Sequence, residues 1–317
     1  MVAFRGRLSW RQYVPAKPTP YGIKIWMRGN PHNGLCHDFQ VYTGKEGRLP
    51  EQGLGARVVE DLSKDLKAKG HIVNMDNYFS SPHLFMSLLR EGIYARGTVR
   101  TNRKGMPPGS MFSDKKLKQQ GDKVVVQKGK LVAVKWKDKR VVNFLTSADG
   151  PLDEVQVKRK KKDGTHVMVD AHSVTDRYNN HMNGVDRADQ LRNCYPSAKK
   201  SRKWWHYLFW FLVDVSLVNG YICMKESPQH ALMSKSGKKK ERTLLQFKIE
   251  LSKQFIGSHR ARGRKRLALS SIGNNELTHM PKFQDKSGRC KACSKTGVRR
   301  ESKIVCATCN VNLCIQD

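Results

Sequence analysis

The segment HIVNMDNYFSSPHLFMSLLREGIYARGTVR, His71 to Arg100, decides the fold class. Its first nine residues, HIVNMDNYF, are an apolar run of the length expected for a buried strand. Ser81-Pro82 then supplies an N-cap followed by proline at the first helical position. The helix so opened, PHLFMSLLREG, closes at Gly92, and IYARGTVR (Ile93 to Arg100) reads as the next strand. Strand, helix and strand in this order predict an α/β fold. Upstream, YGIKIWM (Tyr21 to Met27) and HDFQVYTG (His37 to Gly44) read as neighbouring strands across the turn-rich RGNPHNG. Between them and His71, ARVVEDLSKDLK (Ala56 to Lys67) carries helical apolar spacing at Val58, Val59, Leu62 and Leu66.

Downstream the pattern changes. From Gly109 to about Val169, KVVVQKGKLVAVKWKDKRVVNFLTS predicts three hairpin-connected strands in an all-β insertion, and KRKKKDG (Lys158 to Gly164) a charged loop. Helices return near Thr175. Trp204 to Met224, WWHYLFWFLVDVSLVNGYICM, has the length of a membrane span, but Asp214 lies at its centre. A helix buried in a soluble core explains the same residues, and it assigns Trp204, Trp205 and Trp210 to packing rather than to stacking on bases. Residues 231 to 266 hold twelve Lys or Arg against two Glu and read as a basic linker or arm. RGRKR within it has the composition of a nuclear-import signal, which predicts a nuclear location.

The whole chain is basic. Sixty Lys and Arg against 27 Asp and Glu give 317 residues a formal charge of +33. A polyanion relieves the self-repulsion of such a chain, and nucleic-acid phosphate is the partner of that kind. A membrane surface is not expected, since the first residues carry neither an apolar signal region nor a lipidation motif. Arg100, Arg103 and Lys104, and then Lys199, Lys200, Arg202 and Lys203, are the candidate phosphate contacts. Of the eight cysteines, Cys36, Cys194 and Cys223 are scattered and five crowd the end as Cys290-x2-Cys293, Cys306-x2-Cys309 and Cys314. Two thiolate pairs at this spacing predict structural Zn²⁺.

Three aspartates stand out. Asp76 ends the apolar run in NMDNYF, and ligands of open α/β sheets gather at the carboxyl ends of strands. Helix capping or turn chemistry accounts for it locally as well. Asp186 and Asp189 in NGVDRADQL fall on one helical face, a spacing that suits a shared divalent cation or, more simply, the dipole of a first helical turn.

Taken in series, AFRGRLSWRQYVPAKPTPYGIKIW, DFQVYTGK, MDNYFSSPHLFMSLLREGIYARGTVRTNRKGMP, MNGVDRADQL and CKAC…CATCNVNLC resemble the core of piggyBac-type transposases and their host-derived relatives, from about Phe4 to the end. The resemblance implies an RNase H-like α/β core with a β-rich insertion, followed by a small cysteine-rich zinc-binding tail. The boundaries that follow are 1–108 for the first part of the core, 109–170 for the insertion, 171–230 for the helical second part, 231–287 for the basic arm and 288–317 for the tail. It implies metal-dependent DNA cleavage and strand transfer at transposon ends and TTAA targets, in a homodimer. Asp76 and Asp186 then match the second and third Mg²⁺-binding aspartates, and Asp189 a supporting acid. The family's first catalytic aspartate belongs to an Asp-Glu pair just before the segment matching AFRGR, and this chain starts at Met1. Further Cys and His ligands follow the position of Cys314 in the family. The expectation is therefore a chain truncated at both ends that binds DNA without cutting it and holds one zinc site. A domesticated chromatin-associated protein and a fragmentary gene model of an active transposase are the other readings.

Overall fold

In the computed structural model the His71–Arg100 segment forms strand β6 (Ile72–Met75), helix α2 (Pro82–Arg90) and strand β7 (Tyr94–Thr98), with β6 and β7 parallel, Ile72 facing Tyr94 and Met75 facing Gly97. The structure describes residues 1–15, 17, 19–44, 53–227, 232–233, 239–257, 281–306, 310–312 and 314. They divide into two compact units, Met1–Ile249 and Glu250–Asp317. The cap is as read: the Ser81 side chain accepts the Leu84 N–H and Pro82 opens the helix. Leu84, Phe85 and Leu88 are buried, and each fully buried side chain of this size contributes about 1.5–3 kcal/mol. The first strand is shorter than its apolar run, because residues 76–79 turn away from the sheet. It is also an edge strand, with Ile72 exposed, rather than a fully buried one.

Three further strands, β8 (Lys123–Lys128), β9 (Leu131–Lys137) and β10 (Val141–Thr146), continue this sheet. The order is β6-β7-β10-β9-β8, with β10 antiparallel to β7, so the hairpins add to the sheet of β6 and β7 rather than building one of their own. Strict alternation sorts their side chains. Ala133 and Leu145 join α2 on one face, while Val132, Val134, Trp136 and Phe144 pack on the other. That second face is covered by β11 (Glu154–Lys160), β12 (His166–His172) and α3 (Ser173–His181). The stretch read as a charged loop is therefore the end and tip of a β-ribbon. Its lysines hide the alternation of Val155 and Val157 against Val167 and Val169.

The N-terminal run YGIKIWM breaks in two. Strand β3 (Tyr21–Ile23) pairs with β1 (Val2–Ala3) and β2 (Gln12–Tyr13), whereas β4 (Ile25–Gly29) pairs with β5 (Cys36–Val41). Helix α1 (Leu54–Leu62) buries Val58, Val59 and Leu62, and its expected last turn is a separate 3-10 turn at Lys64–Leu66. Helix α4 (Gly184–Cys194) starts against Gly29. A Cβ on Gly184 would lie 2.7 Å from the Gly29 carbonyl oxygen, a separation that side chains do not tolerate.

Helix α5 (Trp204–Glu226) is one helix, but it is not buried all round. Phe211, Val215, Val218 and Ile222 face the core, whereas Trp205, Phe209 and Leu212 are exposed. Trp204 is also partly exposed and meets Trp10 edge-on at 5.2 Å, and Trp210 lies against Phe209. The assignment of the tryptophans to a core is thus corrected: the helix is long and apolar enough to cross a membrane, yet here it covers the β1–β3 side of the unit with one face only. Short strands β13 (Leu232–Met233) and β14 (Lys239–Lys240) and helix α6 (Leu244–Ile256) follow. In the second unit, β15 (Pro281–Arg289) and β16 (Glu301–Cys306) form a hairpin around the short helix α7 (Lys291–Lys295). The RGRKR motif lies outside the described residues.

Candidate functional site

Asp76 directly follows β6, so the strand delivers its carboxylate to the sheet's end. It does not cap α2, which Ser81 does. Instead its Oδ1 accepts the Tyr78 N–H at 2.9 Å, and its carbonyl accepts from the Ser80 N–H and hydroxyl. Ser80 is buried, and the turn is tight enough that β7 must pass it without a side chain. A Cβ on Gly97 would meet Ser80 Oγ at 2.4 Å and the Met75 carbonyl at 2.5 Å. The carboxylate itself stays exposed.

Asp76 opens on a cleft of about 1450 Å³, whose other walls carry Asp186 and Asp189 of α4, Arg177, Tyr178 and His181 of α3, and Lys24, Trp26 and Arg96. The structure thus brings the three sequence-predicted acids to one cleft. They do not form a tight three-oxygen set: among the described residues, the only group with three potential ligand atoms within 4.8 Å is a cysteine cluster. Asp186 is exposed in the first turn of α4, where it complements the dipole, and Asp189 pairs with Arg192 at 3.1 Å.

The cleft is electrostatically mixed. Burial pushes the Lys24 ammonium below its ordinary pKa while Asp76 pulls it back up, and Lys24 Nζ lies 3.6 Å from the centre of the Trp26 ring. The Tyr178 phenol is raised by burial, opposed by a hydrogen bond with Thr98 and reinforced by Asp76. Asp65, also on the wall, is held by Arg28 through two contacts of 2.8 Å, and that hydrogen bond lowers its pKa.

Beneath the cleft lies a network that sequence reasoning missed. Asp149 accepts a two-pronged contact from Arg96 at 2.8 and 2.9 Å, a bond from Thr146 Oγ1 at 2.6 Å and one from Arg177 at 2.8 Å. Asp149 and Arg96 are both buried. SADG reads as an ordinary turn, and Arg96 is distant in sequence, so no local signal links them.

The predicted phosphate contacts divide. Arg103 turns its guanidinium to the Tyr78 and Asn77 carbonyls at 2.7 and 3.2 Å, and Arg100 reaches Asn77 Oδ1 at 3.4 Å. Both therefore brace the turn that holds Asp76, while Lys104 is exposed beside them. Lys199, Lys200, Arg202 and Lys203 are all exposed ahead of α5. Their segment is tied down by buried Asp214, which accepts the Ser197 N–H at 3.0 Å and pairs with Lys248 at 3.3 Å.

In the second unit, Cys290 and Cys293 meet Cys314. These three sulfurs lie within 4.8 Å of one another, with Cys293 Sγ 3.3 Å from Cys314 Sγ. Backbone N–H groups of Cys293 and Cys314 hold the Cys290 thiol down at about 6, while the hydrogen bond with Cys314 pushes the Cys293 thiol up to about 11. Cys306 is buried at the end of β16 but is not one of this set, and Cys309 lies outside the described residues. Among the described residues, Cys290, Cys293 and Cys314 are the set placed to share a metal ion.

A family model described as Transposase IS4 matches residues 1–221. The human PiggyBac transposable element-derived protein 3 is 27% identical over 332 aligned positions, covering 99% of this chain and 52% of that protein. This chain belongs to the piggyBac transposase family. The human PiggyBac transposable element-derived protein 2 is 25% identical, covering 92% of the chain and 50% of that relative. The chain therefore spans about half the length of these piggyBac relatives. The cryo-EM structure of a piggyBac transposase synaptic complex with hairpin DNA matches with a TM-score of 0.67 at 25% identity, over 98% of this chain and 66% of that one. The mixed α/β fold is thus that of a piggyBac transposase.

Proposed function

We propose that this piggyBac-family chain binds duplex DNA along the cleft bearing Asp76, Asp186 and Asp189, and that it does so without cutting the strand. The observation that carries the reading is the convergence of those three acids on one basic-rimmed cleft, in a fold shared with a transposase solved on DNA. The ancestral activity is cleavage and strand transfer at TTAA sites on an RNase H-like core, with the nucleus as the place of action and a homodimer as the working form. Asp76 and Asp186 offer hard oxygen donors suited to Mg²⁺, which when bound supplies positive charge to a scissile phosphate. The other cleft acids are committed elsewhere: Asp65 to Arg28 and Asp189 to Arg192. Among the described residues, Asp76 and Asp186 are the two cleft acids without an ion-pair partner, and two such carboxylates support retention of phosphate better than its cleavage.

Lys104, Lys199, Lys200, Arg202 and Lys203 grip backbone phosphates, and Arg100 and Arg103 steady the Asp76 turn. Cys290, Cys293 and Cys314 hold a structural Zn²⁺ with a fourth ligand. Fluorescence anisotropy on a transposon-end duplex tests the binding, with a strong loss of affinity expected as salt rises from 50 to 200 mM. No saturable binding at low salt would sink the DNA reading. A nicking assay with Mg²⁺ or Mn²⁺ tests the rest: cleavage that disappears in Asp76→Asn would show that the chain does cut.

A further inference from the structure

The β11–β12 ribbon pairs seven residues on each side, from Glu154 against His172 at its root to Lys160 against His166 at its tip, a length of about 20 Å. Alternation turns Val157 and Val169 onto the sheet and leaves Glu154, Gln156, Lys158 and Lys160 exposed. Arg159 belongs to the inner set. Its guanidinium lies 5.3 Å from the centre of the Trp136 ring, and its Nε donates to Asp138 at 3.3 Å, so its charge holds the ribbon down. The outer face is polarised along its length. At the root, Glu154 pairs with Lys123 at 2.7 Å and Gln156 donates to Asp170 at 3.1 Å. At the tip, Lys158, Lys160, Lys161 and Lys162 are exposed, and among the described residues none of the four has an ion-pair partner.

The acid beside them, Asp163, is occupied in building the turn, where it accepts the Thr165 N–H at 2.9 Å and hydroxyl at 2.6 Å. Lys161 N–H to Thr165 O at 2.8 Å closes that turn, and Gly164 takes the left-handed φ of +87° that it needs. The lysines are therefore presented by a formed hairpin. Bunching four cations at one end of an exposed ribbon raises their mutual repulsion, which a polyanion would relieve.

We propose that this ribbon tip is a second contact surface for duplex DNA, in which Lys158, Lys160, Lys161 and Lys162 bind backbone phosphates outside the cleft. A two-stranded ribbon has the width of the major groove. Lysine, a point charge without a planar fork, suits phosphates rather than base edges, and the tip carries no Phe, Tyr or Trp ring on which an unpaired base could stack. The ribbon runs directly into the cleft wall, because β12 continues through His172 into α3, which carries Arg177, Tyr178 and His181. The inference rests on the cleft binding DNA.

The test compares two triple variants of the full chain by anisotropy on two unrelated duplexes across a salt series. One is Lys160→Ala, Lys161→Ala and Lys162→Ala. The other removes equal charge from exposed turns of the neighbouring hairpins, as Lys128→Ala, Lys130→Ala and Lys139→Ala. The ribbon variant is expected to bind both duplexes on the order of tenfold more weakly, with the salt slope reduced by about 2–3, while the control shifts far less. Equal losses in the two variants would assign the effect to net charge and overturn the proposal. So would an unchanged ribbon variant, which leaves cleft binding standing because the parent still binds. A parent that binds neither duplex overturns both readings. Thermal melting confirms that each variant is folded.

Discussion

A carboxylate with no exposure carries much of the cleft floor. Burial works against the charge of Asp149, but hydrogen bonds from Arg96, Thr146 and Arg177 outweigh it and leave its pKa below the ordinary aspartate value. Replacing it as Asp149→Asn leaves the Arg96 cation buried without a counter-charge, and the expected cost in urea unfolding is about 3–5 kcal/mol. The pH dependence follows the sign of the shift. Because the folded pKa is depressed, this contribution is present above the unfolded value near ~4 and is lost as pH falls through the folded one. The parent should therefore lose stability on acidification below about pH 4 more steeply than the Asn variant, and parallel curves would refute the assignment. None of this was legible in the sequence, where Asp149 looks like a turn residue. Asp76 was legible, since an apolar run that stops at a carboxylate reports a strand end whatever the residue later does.

Elements were readable where one physical signal dominated. Helix α2 has a serine cap, a proline at its first turn and a glycine stop, and it formed as those signals require. The β11–β12 ribbon was missed because its solvent face and tip are lysine-rich, which masked a clean alternation of valines on the inner face. Helix α5 misled in the opposite sense: uniform apolarity suggested burial all round, and the sequence does not say which side lacks a neighbour. Its one carboxylate explains itself in the structure, where Asp214 anchors the basic segment ahead of the helix. Asp214→Leu removes the acceptor of the Ser197 N–H, and limited trypsin digestion should then cut after Lys199, Lys200 and Arg202 several-fold faster than in the parent. Unaltered digestion rates would show that the segment is held by other contacts.

At the scale of the molecule, a charge of +33 pointed to a polyanion before any element was placed. Its distribution was not legible, because whether a lysine braces a turn or faces solvent depends on contacts between distant segments, as Arg103 and Arg159 illustrate. The cysteine spacing announced a cluster able to hold a metal ion, while the place of Cys314 beside Cys290 and Cys293 needed the β15–β16 hairpin. Elemental analysis should find one tightly bound zinc per chain, falling well below one in Cys290→Ser; two tightly held ions would contradict the three-sulfur set. The contact between Gly29 and Gly184 bears on the cleft as a machine. With backbone against backbone, the start of α4 is seated on the β4–β5 hairpin, which places Asp186 and Asp189. Asp76 travels with the sheet of β6 and β7. The span between the acids is accordingly set by how two separate sheets are placed and by the turn at residues 76–79 that carries Asp76.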